Sequence, residues 1–347
     1  MTVRNHRIEW VDALKGFTII CVVLGHIING YVSAGVFPEY KTFMRQIVNG
    51  IYLFHMPLFM ILSGFTYATS YIGGRIPESS INNNSVRNKT IDLTALYIIH
   101  SLLFGAAKLF FSGYVNREIS TSDLLLLWAK PIQLFWYIYV LILLYLIFSI
   151  GRIRNSSPKK MLIILCGLSV VSGLAPTISW FQISRFLFYM FFFYFGVFLQ
   201  QFPNASDRLK RRYAGGTAAV STALIVLFWN DKRMISSIPI ICFFVAFGAS
   251  FVLLYLFRRI RRLYECRVFL LSGRHSLEIY LLHTYIFTFN RKIFLNLGIT
   301  DFCTNVALNL TLSVLLPILI AQGLRRIHCY DLFFRPTAYL QQMRIFS

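Results

Sequence analysis

The chain has 347 residues, of which 57% are hydrophobic, 17% aromatic and only 14% charged, and its mean hydropathy is +0.63. Soluble domains carry roughly 25% charged residues, so this composition excludes an ordinary soluble enzyme, and apolar runs without two-residue alternation exclude a β-barrel. A net charge of +21 would suit nucleic acid, but Lys and Arg stand in short clusters between apolar runs, so no nucleic-acid partner is expected.

Each membrane span needs about 20 mainly apolar residues. Ten such segments can be drawn, at 10–30, 50–71, 91–112, 132–150, 161–175, 186–201, 214–230, 237–257, 276–296 and 303–324. The expectation is an all-α polytopic membrane protein of about ten helices, a single domain over 1–347. The first run is too long for a cleavable signal peptide and lacks an A-x-A-like end. Placing the N-terminus in the cytoplasm puts 23 Lys and Arg in one set of loops, among them Arg258, Arg259, Arg261 and Arg262, and far fewer in the other. That asymmetry follows the positive-inside rule with both termini cytoplasmic. The six cysteines are scattered without metal spacing and read as small apolar residues. There is no glycine-rich phosphate loop, HExxH or CxxC, and no metal is expected.

Ionisable side chains at membrane depth are costly and mark function by default. The first segment, WVDALKGFTIICVVLGH, holds a line of them: Asp12, Lys15 and His26. The 11 helical steps from Lys15 to His26 turn through about 1100°, so the two share one face roughly 16 Å apart. Asp12 lies one turn from Lys15 on much the same face. The second segment runs inward from NGIYLFHMPLFMILSGF, which places His55 a few residues from its outer end and at a depth similar to His26. Two imidazoles at one depth suit general-base work, since an unperturbed His titrates near pH ~6.5. The competing role for His55 is a hydrogen bond to a neighbouring helix.

Phe135-Trp136-Tyr137 opens the fourth segment, where an interfacial aromatic belt is the plain reading. In GRHSLEIYLLH, Gly273 to His283, Ser276 is the expected N-cap of the ninth helix, with Glu278 in its first turn. His283 then lies about two turns inside, either as a core hydrogen-bonder or lining the same cavity as His26.

This combination resembles the membrane acyltransferase family 3, integral membrane O-acyltransferases that modify bacterial surface sugars. Asp12, Lys15 and His26 fit the family's basic-residue-x10-His pattern, with Lys where Arg is more usual. Phe54-His55-Met56-Pro57-Leu58-Phe59 with Ser63-Gly64-Phe65 fits its second-span signature, and Phe135-Trp136-Tyr137, Gly196 and Ser276 to His283 fit later ones. The FHMPLF form is similar to the branch of fucose acetylases and capsule or O-antigen acetyltransferases. Many members carry an arginine-rich stretch after the second span. Here the basic residues are spread over Arg75, Arg87 and Lys89. No room remains for a fused extracytoplasmic domain, which matches the self-sufficient branch.

The resemblance implies transfer of an acetyl group from cytoplasmic acetyl-CoA to a hydroxyl of a surface polysaccharide or its lipid-linked precursor, in the bacterial inner membrane and among its lipids. Lys15, Arg75, Arg87 and Lys89 would hold the CoA phosphates, and Asp12 would keep Lys15 charged and placed. His26, assisted by His55, would act as general base or as acyl-accepting nucleophile. Trp136, Glu278 and His283 fall to the acceptor side. The alternative is a secondary transporter or flippase of a lipid-linked sugar using the same polar residues, although no inverted repeat is visible.

Overall fold

An apolar segment in lipid satisfies its own N–H and C=O groups only as a helix, and the described residues are helical with no strand. The structure, a computed structural model, describes residues 8–72, 83–110, 119–150, 157–174, 177–203, 215–216 and 239–345. In chain order the helices are α1 (Glu9–Ala34), α2 (Lys41–Tyr67), α3 (Asn83–Phe110), α4 (Thr121–Leu125), α5 (Trp136–Phe148), α6 (Pro158–Leu174) and α7 (Ile183–Gln201). They continue with α8 (Pro239–Arg259), α9 (Arg261–Tyr264), α10 (Arg267–Arg274), α11 (Ser276–Asn296), α12 (Phe302–Arg326), α13 (Tyr330–Phe334) and α14 (Pro336–Ile345).

Among the described residues six helices are long and apolar enough to cross a membrane: Glu9–Ala34, Pro38–Ser70, Val86–Phe110, Trp180–Gln201, Ile240–Arg259 and Phe302–Arg326. Of the other expected segments, α5 has 13 residues and α6 has 17, shorter than these six helices. α11 is long enough but carries Glu278, Arg291 and Lys292. The expected segment 214–230 lies outside the described residues, apart from 215–216. Two boundaries differ from expectation. α2 starts at Lys41, well before residue 50, so His55 sits near its middle and not a few residues from its end. α11 begins with Ser276 as its first helical residue and His275 as N-cap, with no side-chain cap bond. Hydropathy locates the apolar stretch, whereas the helix runs on through polar flanking turns.

The chain divides into two compact units, one holding the described residues of 8–62 and 244–321, the other those of 63–203, 239–243 and 322–345. In the first, α10 lies against the opening turns of α1 at backbone distance. A Cβ built on Gly16 would sit 1.8 Å from the carbonyl oxygen of Phe269, and one on Gly273 would sit 1.8 Å from that of Asp12. Phe17 packs beside this contact on Phe257 and Phe269, at ring-centroid distances of 5.5 and 5.7 Å. Towards the other end of α1 a buried polar clamp joins three helices. Asn309 donates to the Tyr31 hydroxyl (2.9 Å), which donates to Asn305, while Asn290 and Ser313 both donate to Asn309 Oδ1 (3.3 Å each). Arg291 donates to the Gly30 carbonyl (3.0 Å). In the loop before α12, hydrogen bonds from the side chain and then the backbone N–H of Thr304 hold the Asp301 carboxyl below its usual range.

In the second unit, Gly64 of α2 meets the Phe193 carbonyl of α7 as closely as Gly16 meets Phe269. Tyr67 donates to the Phe148 carbonyl (3.1 Å) and Tyr97 to that of Leu127 (2.6 Å). The segment after α12 is tied to α3, because Asp92 accepts from the backbone N–H (2.9 Å) and hydroxyl (2.8 Å) of Thr337.

Overpacking a tight contact costs roughly 1–3 kcal/mol, and backbone atoms at Gly16 and Gly273 have no rotamer by which to yield. Gly16→Val and Gly273→Val are therefore each expected to lower the melting temperature of the detergent-purified protein by several degrees. Gly50→Ala, with nothing within 4 Å of its added Cβ, should be neutral or slightly stabilising. Fluorescence-detected size-exclusion after heating measures all three.

Candidate functional site

Three of the predicted residues, His26, His55 and His283, come together in the first unit, on α1, α2 and α11. The His26 and His283 rings lie 5.3 Å apart, centroid to centroid, tilted by 32°. Tyr52 joins the other pair: its hydroxyl is 3.3 Å from His26 Nδ1, and its ring is 5.0 Å from that of His55. The result is a continuous row, His283–His26–Tyr52–His55. Local sequence explains how Tyr52 reaches His26. A Cβ on Gly25 would fall 2.9 Å from Tyr52 Cε1, so the absence of a side chain beside His26 opens the slot that the tyrosine ring fills.

Two imidazoles in the row have their tautomer set by the backbone. His55 Nδ1 is 2.7 Å from the Ile51 carbonyl, and His283 Nδ1 is 2.9 Å from the carbonyls of both Ile279 and Tyr280. Carbonyls only accept, so each Nδ1 carries the proton and each neutral ring presents Nε2 as an acceptor. His283 has no exposed surface, and its Nε2 has no hydrogen-bond partner among the described residues. His26 differs. It is half-buried, and a hydroxyl that can give or take a proton faces its Nδ1. An imidazole whose second nitrogen meets an adjustable partner can take up or release a proton near neutral pH.

The remaining predicted residues are placed as follows. Asp12 and Lys15 are half-buried on α1, with the Asp12 carbonyl against Gly273. Glu278 is buried and meets His275 at 3.3 Å. Five residues of helix set it about 140° round from His283, so it belongs to the start of α11 and not to the imidazole row. In the second unit, Trp136 is half-buried, with the Arg185 guanidinium carbon 4.6 Å from its ring centre and Tyr189 stacked at 5.4 Å. Arg185 also donates to Gln182 (2.7 Å). Its neighbour Tyr137 shares a hydrogen bond with Ser63 (2.8 Å), so the FWY and SGF motifs meet. Arg87 is exposed, and Lys89 is half-buried one turn before Asp92 on α3. Arg75 lies outside the described residues. Among the described residues no group of three or more His, Cys, Asp or Glu is arranged to hold a metal ion.

Sequence reading passed over Tyr52, Arg185 and the Ser63–Tyr137 pair. Tyr52 had one available signal, its position one turn before His55 on the same helix.

A chain with several membrane-length helices and a row of imidazoles shared by three helices of one unit is a multi-pass membrane protein with a polar site. Residues 8–325 match the family model described as an acyltransferase domain, and the chain belongs to that family, the membrane acyltransferase family 3. It is 27% identical over 208 residues to nodulation protein NolL of Sinorhizobium fredii (strain NBRC 101917 / NGR234), covering 60% of this chain and 53% of that protein. The chain thus spans about half the length of the curated relative it matches. No solved structure matches it.

Tyr52→Phe keeps the ring in the Gly25 slot and removes only the hydroxyl. The lost hydrogen bond contributes roughly 0.5–1.5 kcal/mol to stability, so the melting temperature should fall by a few degrees at most, while loss of the group facing His26 Nδ1 should lower acyl transfer about tenfold. Rates in membranes and thermal unfolding in detergent report the two effects separately.

Proposed function

We propose that the protein is a membrane O-acetyltransferase that moves an acetyl group from cytoplasmic acetyl-CoA to a hydroxyl of a surface polysaccharide or its lipid-linked precursor. The observation that carries this reading is the row His283–His26–Tyr52–His55, set on three helices of one unit in a chain of the acyltransferase family. Transfer from a thioester to an alcohol needs a group that takes the hydroxyl proton as the oxygen attacks, and imidazole does this near neutral pH. Family membership favours transfer over transport of a lipid-linked sugar. Lys15 lies on the α1 face that leads to His26, 11 residues away, and supplies positive charge along a donor path. Arg75, Arg87 and Lys89 take the CoA phosphates, and Asp12 balances Lys15. Trp136 belongs to the acceptor side.

The protein works as one domain of ten spans in the bacterial inner membrane, with both termini cytoplasmic. This supports a donor path that starts inside and an acceptor that is modified outside.

Mass spectrometry of surface polysaccharide from cells with and without the gene tests the reaction: one acetyl unit per modified sugar should disappear with the gene. His26→Ala should reproduce that loss, by about 10²-fold or more, while inserting normally. A well-expressed His26→Ala protein with full activity removes His26 from the mechanism.

Orientation has its own test. In a cysteine-free protein, an impermeant thiol reagent should label Ser33→Cys from outside and leave Glu265→Cys protected. The reverse pattern would put Lys15 on the side away from CoA and end the donor path.

A further inference from the structure

The unpartnered nitrogen of His283 has a use that the proposed reaction leaves unassigned. A buried acceptor without a donor is unfavourable, and one stands here, with Nδ1 fixed by two carbonyls and Nε2 lacking a hydrogen-bond partner among the described residues. The neighbouring ring is His26, 5.3 Å away. While both rings are neutral and the Tyr52 hydroxyl accepts from His26 Nδ1, each histidine offers a lone pair at Nε2 and neither offers a proton. We propose that His26 and His283 form a proton-sharing pair, in which His283 accepts a hydrogen bond from His26 once His26 has taken the proton of the acceptor hydroxyl. This rests on the acyl-transfer reading above. His26, half-buried, touches substrate. His283, fully buried behind it, is a positioning residue.

The acceptor oxygen forms a bond to the thioester carbonyl carbon as its proton passes to His26 Nε2. The C–S bond breaks with its electron pair on sulfur, and the proton held by the pair is delivered to that sulfur. The products are the acetyl ester and CoA thiol, with both rings neutral again. Other titratable groups near the pair are Tyr52 and His55 on α2 and Tyr280 on α11, with the His275–Glu278 pair at the start of α11 and Arg291 two turns beyond His283. Of the imidazoles among them, His55 joins the row through Tyr52, and His275 meets Glu278.

The full-length protein in detergent, with acetyl-CoA and glycan extracted from cells lacking the gene, gives the kinetic test. His283→Asn retains an N–H for the Ile279 and Tyr280 carbonyls but removes the acceptor nitrogen. His283→Gln can place an amide oxygen near the lost Nε2. The pair predicts that His283→Asn lowers kcat about 10²-fold, leaves the acetyl-CoA KM within about twofold, and moves the acid limb of the kcat/KM profile down by about one pH unit. His283→Gln should recover part of both effects. An acid limb that stays in place in His283→Asn, or equal losses in the two variants, overturns the pair. So does failure of both variants to fold, which would make His283 a packing residue.

A measurement without turnover separates this inference from the reaction itself. The chain has seven histidines, so ¹⁵N-histidine spectra can be assigned by single substitutions. Uptake of one proton shared by His26 and His283 before a second supports the pair even if no acetyl transfer is found, in which case the reaction reading fails alone. Independent titration of the two rings in an active enzyme overturns the pair and leaves the reaction reading standing.

Discussion

The backbone contact between α1 and α10 across Gly16 and Gly273 sets the geometry on which the site depends. Lipid tails are as apolar as leucine, so helices in a membrane associate through close packing and polar bonds and not by escape from water. Two glycines facing each other let main chains touch, which multiplies weak van der Waals contacts. Because α11 follows α10 after a single residue, His275, the same contact fixes where α11 starts along α1. The asparagine–tyrosine clamp of Tyr31, Asn290, Asn305 and Asn309 holds the other end. His26 and His283 lie between these two fixed points, so their ring separation is set from both directions.

The same scarcity of water shapes the chemistry. An imidazole among apolar side chains takes whatever acceptor is near, and for His55 and His283 that is a carbonyl one turn back on their own helix. The bond costs the helix nothing, since a carbonyl has two lone pairs. It selects one tautomer and turns a ring into an acceptor of known orientation. His26 escapes this treatment because its Nδ1 meets the Tyr52 hydroxyl, which leaves its protonation adjustable. Fixed rings flanking an adjustable one is an arrangement suited to moving a proton over a short distance.

In the second unit polar contacts serve mainly to join elements. Asp92 holds the N-terminus of α14 through Thr337, and Trp136 meets both Arg185 and Tyr189. Trp136 therefore has both a cation and an aromatic neighbour, a fuller environment than the belt reading gives it.

Much of this was legible in the chain. Apolar runs and their basic flanks marked the helices, because satisfying the backbone in lipid leaves helix as the one local solution. The spacing of Lys15 and His26 marked a polar face, because helical rotation is the same in every sequence. The order of the HMP, SGF, FWY and SLEIYLLH motifs pointed to the family. Tertiary structure alone decided the rest. That Tyr52 stands beside His26 depends on an empty position at Gly25 on another helix, and that His283 faces His26 depends on a glycine contact formed by α10. The start of α2 at Lys41 and the His275 cap of α11 were likewise hidden, since hydropathy does not register polar turns that continue a helix. Periodicity reports what a segment does along its own axis, whereas the distance between two rings on different helices is set by the smallest residues at the crossing, whose meaning appears only when the partner backbone is in place.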